Sequence, residues 1–258
     1  MRYRLTIAYD GTDFHGWQEQ TGADQVHLRT VQKTLRQAIQ HVVRQPVQLT
    51  GASRTDTGVH ALGQVATFDA ADLTIPLDRM ALAINSRLPA DVEVRAVDVV
   101  ADDFQPIADA VEKQYRYRIW NAPQRPLGLR HLVHHFWEPL DVEAMADAGR
   151  RLVGTHDFAA FTNAGHGRTT TVRTVTGCRV EAHPIDAGGR QVHVVVRGQG
   201  FLYNMVRIIA GTLMEIGRGH WPADRVDELL RTGDRQRSGP TAPAQALCLE
   251  SIRYAESN

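Results

Sequence analysis

The sequence predicts an α+β protein of two tandem ferredoxin-like units, each in the order β-α-β-β-α-β. Their sheets are expected to join into one extended, mainly antiparallel sheet with helices on one side. Three observations carry this reading. Apolar residues alternate at period two in several separate stretches, segments of helical period lie between them, and the same order of elements occurs twice. The 258 residues suffice for two domains of ordinary size.

The first unit is expected over 1–108. Tyr3, Leu5, Ile7 and Tyr9 alternate and mark a strand over 2–9. Thr30 stands as an N-cap before a helix whose buried face is Val31, Leu35, Ala38, Ile39 and Val42. Strands follow at 46–52 and 62–70, with a polar, glycine-containing loop between them. Pro76 opens a second helix over 77–87, which must end before Pro89. A strand at 92–100 closes the unit.

The second unit is expected over 109–258, after a hinge near Phe104 to Asp109. A strand at 113–120 leads to a helix at about 141–153, opened by Asp141. Strands at 170–182 and 189–198 are joined by the turn Asp186-Ala187-Gly188-Gly189. A helix over 203–216 buries Leu202, Val206, Ile209, Leu213 and Ile216. A short helix at 222–231 and a strand at 247–254 complete the set. The least regular stretches are Thr162–Thr169 and Thr232–Pro243.

Hydrophobic residues make up 43% and charged residues 22%, the composition of an ordinary soluble globular protein. No apolar run has the length of a membrane span. The N-terminus enters a strand at once and resembles no signal peptide. Cys178 and Cys248 are far apart and form no metal-ligand spacing, as expected of a reduced, cytoplasmic protein. Net charge is zero but segregated: ten Lys and Arg face thirteen Asp and Glu in 1–108, against nineteen and sixteen in 109–258. The windows 113–137, 158–180 and 187–214 hold no acidic residue, so a phosphate backbone could be tracked there. Strands poor in acids account for the same windows equally well.

Chemistry is concentrated in the loop Gly51-Ala52-Ser53-Arg54-Thr55-Asp56-Thr57-Gly58-Val59-His60-Ala61. It presents Asp56 in a tight polar turn, two residues after Arg54. A carboxylate beside a guanidinium keeps its charge at neutral pH, as a nucleophile or electrostatic stabiliser requires. An isolated Asp in such a turn more often caps its own backbone, so the rest of the chain decides. Lys113-Gln114-Tyr115-Arg116-Tyr117-Arg118 interleaves aromatic and basic side chains, Tyr on one strand face and Arg on the other. Gly200-Phe201-Leu202-Tyr203-Asn204-Met205-Val206-Arg207 places Arg207 in the first turn of a helix, where a cation opposes the helix dipole unless a carboxylate offsets it. Pro240-Thr241-Ala242-Pro243 is a rigid turn feeding the last strand.

These four segments, together with Tyr9-Asp10-Gly11-Thr12 and Gly16-Trp17-Gln18, resemble the tRNA pseudouridine synthase A family over nearly the whole chain. The resemblance implies Asp56 as catalytic aspartate, Arg54 as its orienting neighbour and Arg207 as its salt-bridge partner. It implies Tyr115 packing on the target base and Leu247 lining the pocket. The implied reaction isomerises uridine to pseudouridine at positions 38–40 of the tRNA anticodon arm, without metal or other cofactor. The family is generally dimeric, with tRNA lying across both subunits. Arg116, Arg118 and Arg168 are the candidate RNA contacts in the acid-free windows. Ser53 and Thr57 stand where the family usually has Gly and Ala; both are small and should leave the loop its shape. Ile107 stands where relatives usually carry an arginine, which bears on one RNA contact and not on the chemistry. The segment 21–29 is longer than usual.

Two other readings fit part of the sequence. A non-catalytic RNA-binding module explains the fold and the basic windows but leaves Asp56 unexplained, since a carboxylate repels phosphate. Asp56-Thr57-Gly58 also spells the aspartic protease signature, but that chemistry needs two such carboxylates and the chain has one copy. His131, His134 and His135 read as solvated or RNA-facing rather than as ligands, because neighbours on a strand point to opposite faces. His60 reads as a loop stabiliser as readily as an acid or base, and Trp17 as core.

Overall fold

The computed structural model describes residues 1–20, 28–71, 73–163, 169–186 and 188–255. The protein is mixed α+β, with five α-helices among the described residues and mainly antiparallel strands. None of those helices is long and apolar enough to cross a membrane. The chain divides into two compact units, one of 1–111 with 249–258 and the other of 112–248.

The first unit contains β1 (Arg2–Tyr9), α1 (Val31–Val43), β2 (Thr50–Gly51), β3 (His60–Asp69), α2 (Leu77–Asn85) and β4 (Val92–Val100). Their order in the sheet, β4-β1-β3 with β2 on the far edge of β3, is the ferredoxin-like one. Alternation in β1 buries Tyr3, Leu5 and Ile7, and Tyr3 stacks on Phe68 of β3 at 5.1 Å. The expected strand at 46–52 is only two residues long. Val47 and Leu49 are buried, but without ladder partners. Val43 rather than Val42 completes the buried face of α1.

Thr30 flanks α1 as expected but makes no side-chain cap. The carbonyls of Gly16 and Trp17 take the N–H groups of Val31 and Gln32 instead, at 3.2 and 3.0 Å. These first N–H groups have no partner inside a helix and accept any nearby acceptor. Trp17 itself is core, 1% exposed.

The second unit contains β5 (Ala110–Asn121, from Glu112 on), β6 (His134–Phe136), α3 (Val142–Arg151), β7 (Gly154–Asp157), β8 (Val172–Ile185), β9 (Gly189–Gly198), α4 (Met205–Gly217) and α5 (Arg225–Thr232). The order is β5-β9-β8-β7, with β6 parallel to the end of β5. Asp141 caps α3 by accepting from the Ala144 N–H at 3.0 Å. The short strands β6 and β7 have no counterpart in the sequence reading; three or four residues are too few to show a period. The helix expected at 222–231 starts three residues later. The last strand, β10 (Leu247–Tyr254), leaves the second unit and has its residues from Leu249 on in the first.

Candidate active site

The Asp56 loop begins where β2 stops. Buried Gln64 brackets Ser53, accepting from its N–H at 3.2 Å and donating to its carbonyl at 2.6 Å. Thr55 is buried and tied twice: its hydroxyl meets the Tyr9 hydroxyl at 2.8 Å, and its carbonyl accepts from the Trp17 N–H at 3.1 Å. The Asp56 carbonyl then accepts from Val59 at 3.1 Å, closing a turn whose third residue, Gly58, has φ +80°. That position calls for glycine. Gly58 donates to the Phe14 carbonyl at 3.3 Å.

Gly16 has φ +85°, and a Cβ there would lie 2.6 Å from the Thr55 carbonyl oxygen. The stretch 11–17 is therefore the bed on which the loop rests, and this gives Gly16-Trp17 a structural reason. On this bed Asp56 is half-buried. Arg54 is exposed, with no hydrogen bond or ion pair to another described residue. His60 is buried and its Nδ1 accepts from the Gly11 N–H at 3.0 Å, a loop-holding role.

Tyr115, Arg207 and Leu247 belong to the second unit. β5 buries Tyr115 and Tyr117 on one face. Tyr115 meets Phe201 edge-on at 5.2 Å, so the aromatic of the Gly200-Phe201 segment supports the tyrosine. The Tyr117 hydroxyl donates to the Pro243 carbonyl at 3.0 Å, and burial pushes it above the usual phenol range. Arg116 and Arg118 lie on the opposite face of the same strand, beside His193 of β9. Arg168 lies outside the described residues, as do the turn residue Ala187 and residues 21–27 of the longer segment.

Arg207 sits in the first turn of α4, as expected. Its Nε donates to the Ala242 carbonyl and its Nη1 to Asn204 Oδ1, each at 2.8 Å. The strap 238–243 that carries Ala242 lies directly on α4. A Cβ on Gly211 would be 1.9 Å from the Pro240 oxygen, and one on Gly239 would be 2.4 Å from the Thr212 nitrogen. Side chains are excluded at both contacts. Leu247, 5% exposed, opens β10 after this strap. The sequence pointed to a rigid turn at 240–243 but not to its clasp on α4; Gly239-Pro240 beside Gly211 was the available signal. Among the described residues, no group of three His, Cys, Asp or Glu side chains could hold a metal.

The first unit thus carries a half-buried carboxylate on a fixed loop, and the second a buried tyrosine and an arginine bonded to the strap 238–243. A family model described as tRNA pseudouridine synthase matches residues 5–106 and 148–255. The tRNA pseudouridine synthase A of Acetivibrio thermocellus is 43% identical over 97% of this chain and 98% of its own. Those of Brevibacillus brevis and Syntrophotalea carbinolica are 43% and 44% identical over 98% of this chain and 99% and 96% of theirs. The chain belongs to the tRNA pseudouridine synthase family, which makes it an isomerase.

Proposed function

We propose that this enzyme converts uridine to pseudouridine at positions 38–40 of the tRNA anticodon arm, in the cytoplasm, as a homodimer. Residues 1–108 supply the catalytic carboxylate of Asp56 and, exposed on the same loop, Arg54, which would turn to orient it when RNA is bound. Residues 109–258 supply Arg207 as counter-charge, and Tyr115 and Leu247 as walls for the flipped base. One observation carries this reading. In a chain of this family, Asp56 sits on a loop whose backbone is fixed from both sides, by Gln64 and by the stretch 11–17.

The reaction breaks the bond from N1 to the sugar, turns the uracil, and joins C5 to the same sugar carbon. A proton leaves C5 and one is gained at N1, so nothing is oxidised. A carboxylate can add to the ring, attack the sugar carbon or assist a deprotonation, and each route needs its ionised form. Extruding the base costs a few kcal/mol, which aromatic and apolar walls offset. Two protomers would pool basic surface for the rest of the tRNA. The two cysteines, Cys178 and Cys248, are buried and not joined in a disulfide, which suits a reducing compartment.

Incubation with unmodified tRNA transcripts, followed by mapping of carbodiimide-dependent reverse-transcription stops, tests the assignment. Stops at 38, 39 or 40 are expected. Modification elsewhere in the tRNA would move the substrate site, and binding without product would favour a non-catalytic module.

A further inference from the structure

Among the described residues, the guanidinium of Arg235 is bonded only to neutral groups. Nε donates to Asn163 Oδ1 at 3.0 Å, Nη1 to Ser238 Oγ at 2.8 Å and to the Gly239 carbonyl at 3.0 Å, and Nη2 to Thr241 Oγ1 at 3.0 Å. None of its contacts among the described residues is a carboxylate. Partial burial without a counter-charge lowers its pKa and is a cost to the fold. A neutral side chain would avoid that cost, but only a planar fork reaches four acceptors in fixed directions. Three of the four lie on the strap 238–241. The strap continues over Gly211 and Thr212, where the Gly239 N–H donates to Thr212 Oγ1 at 3.0 Å. It ends at Ala242, whose carbonyl accepts from Arg207 Nε and whose N–H donates to the Arg207 carbonyl at 3.3 Å.

We infer that Arg235 is a positioning residue for the isomerisation: its fork clamps the strap so that the Ala242 carbonyl holds the Arg207 guanidinium in one orientation. The inference rests on the role proposed for Arg207. A guanidinium aimed at a carboxylate loses most of its effect when displaced by about 1 Å, and such displacement can lower turnover by about 100-fold. Substrate binding, set by other contacts, should change little.

The test measures kcat and KM on an anticodon stem-loop for Arg235→Lys, Arg207→Ala and the double variant, with melting temperature as a check on folding. Thr241→Val, which removes the Nη2 acceptor together with the 3.4 Å bond from Asn163 Nδ2, stands in if Arg235→Lys does not fold. Arg235→Lys, or its stand-in, should lower kcat about tenfold or more with KM within about threefold. The double variant should be no slower than Arg207→Ala, because Arg235 then has nothing left to position. Losses that multiply, a change confined to KM, or full activity in Arg235→Lys would overturn the inference. If Arg207→Ala itself keeps wild-type kcat, the proposed role of Arg207 fails instead, whatever Arg235 does.

Discussion

Asp56 owes its position to backbone hydrogen bonds from a distant stretch of chain. Trp17 and Phe14 hold Thr55 and Gly58 on either side of it, and no large side chain has to fill the turn. Polar sequence could therefore be read as chemistry there, because little else explains it. Arg235 shows the opposite case. In sequence it stands in a charged, glycine-containing stretch that reads as solvated loop, and its Asn163 partner is 72 residues away. A further consequence at this scale concerns His193. Burial, then Arg116, His183 and Arg118, hold its pKa at about 4, with Glu181 opposing them weakly. The unfolded chain takes up this proton near the ordinary value of 6.5, the folded chain only near 4. Stability contributed by neutral His193 is thus complete above pH 6.5 and lost as pH falls toward 4. His193→Gln should lose less urea resistance between pH 7 and pH 5 than wild type; equal losses would contradict this.

Among the elements, long amphipathic segments were legible and short ones were not. The amphipathic helix α1, the helix α3 with its Asp141 cap, and the strands β1, β4 and β10 all follow from period and end signals. The strands β2, β6 and β7 depend on neighbours that only the fold supplies. The start of α1 illustrates a tertiary override: Thr30 has a capping residue's identity and place, yet Gly16 and Trp17 do its work. Its hydroxyl is buried without a hydrogen-bond partner among the described residues. Thr30→Val should therefore be neutral or slightly stabilising in urea unfolding, because an unsatisfied polar atom is removed. Loss of about 1 kcal/mol, as at a working cap, would show that the hydroxyl caps the helix in solution.

For the whole molecule, the mixed α+β class was legible because strand and helix periods recur along both halves of the chain. The return of residues 249–254 to the first unit was not, since nothing local marks which sheet a strand joins. Zero net charge likewise conceals segregation, with the acid-free windows all beyond residue 112. If these windows meet phosphate, tRNA affinity should fall at least about tenfold between 50 and 200 mM salt, with log Kd linear in log salt. A flat dependence, read by filter binding, would remove phosphate contact from the account.

In the proposed mechanism, turnover depends on the charge of a single carboxylate. Asp56→Asn keeps the size of the side chain, removes its charge and turns one acceptor oxygen into an NH2 donor. Wild type and this variant, matched in tRNA affinity and melting temperature, are to be compared for pseudouridine formed in an anticodon stem-loop under single-turnover conditions. The expected result is no detectable product from the variant with binding nearly unchanged. Pseudouridine formed at a rate within about tenfold of wild type would contradict the assignment of Asp56 as the catalytic group.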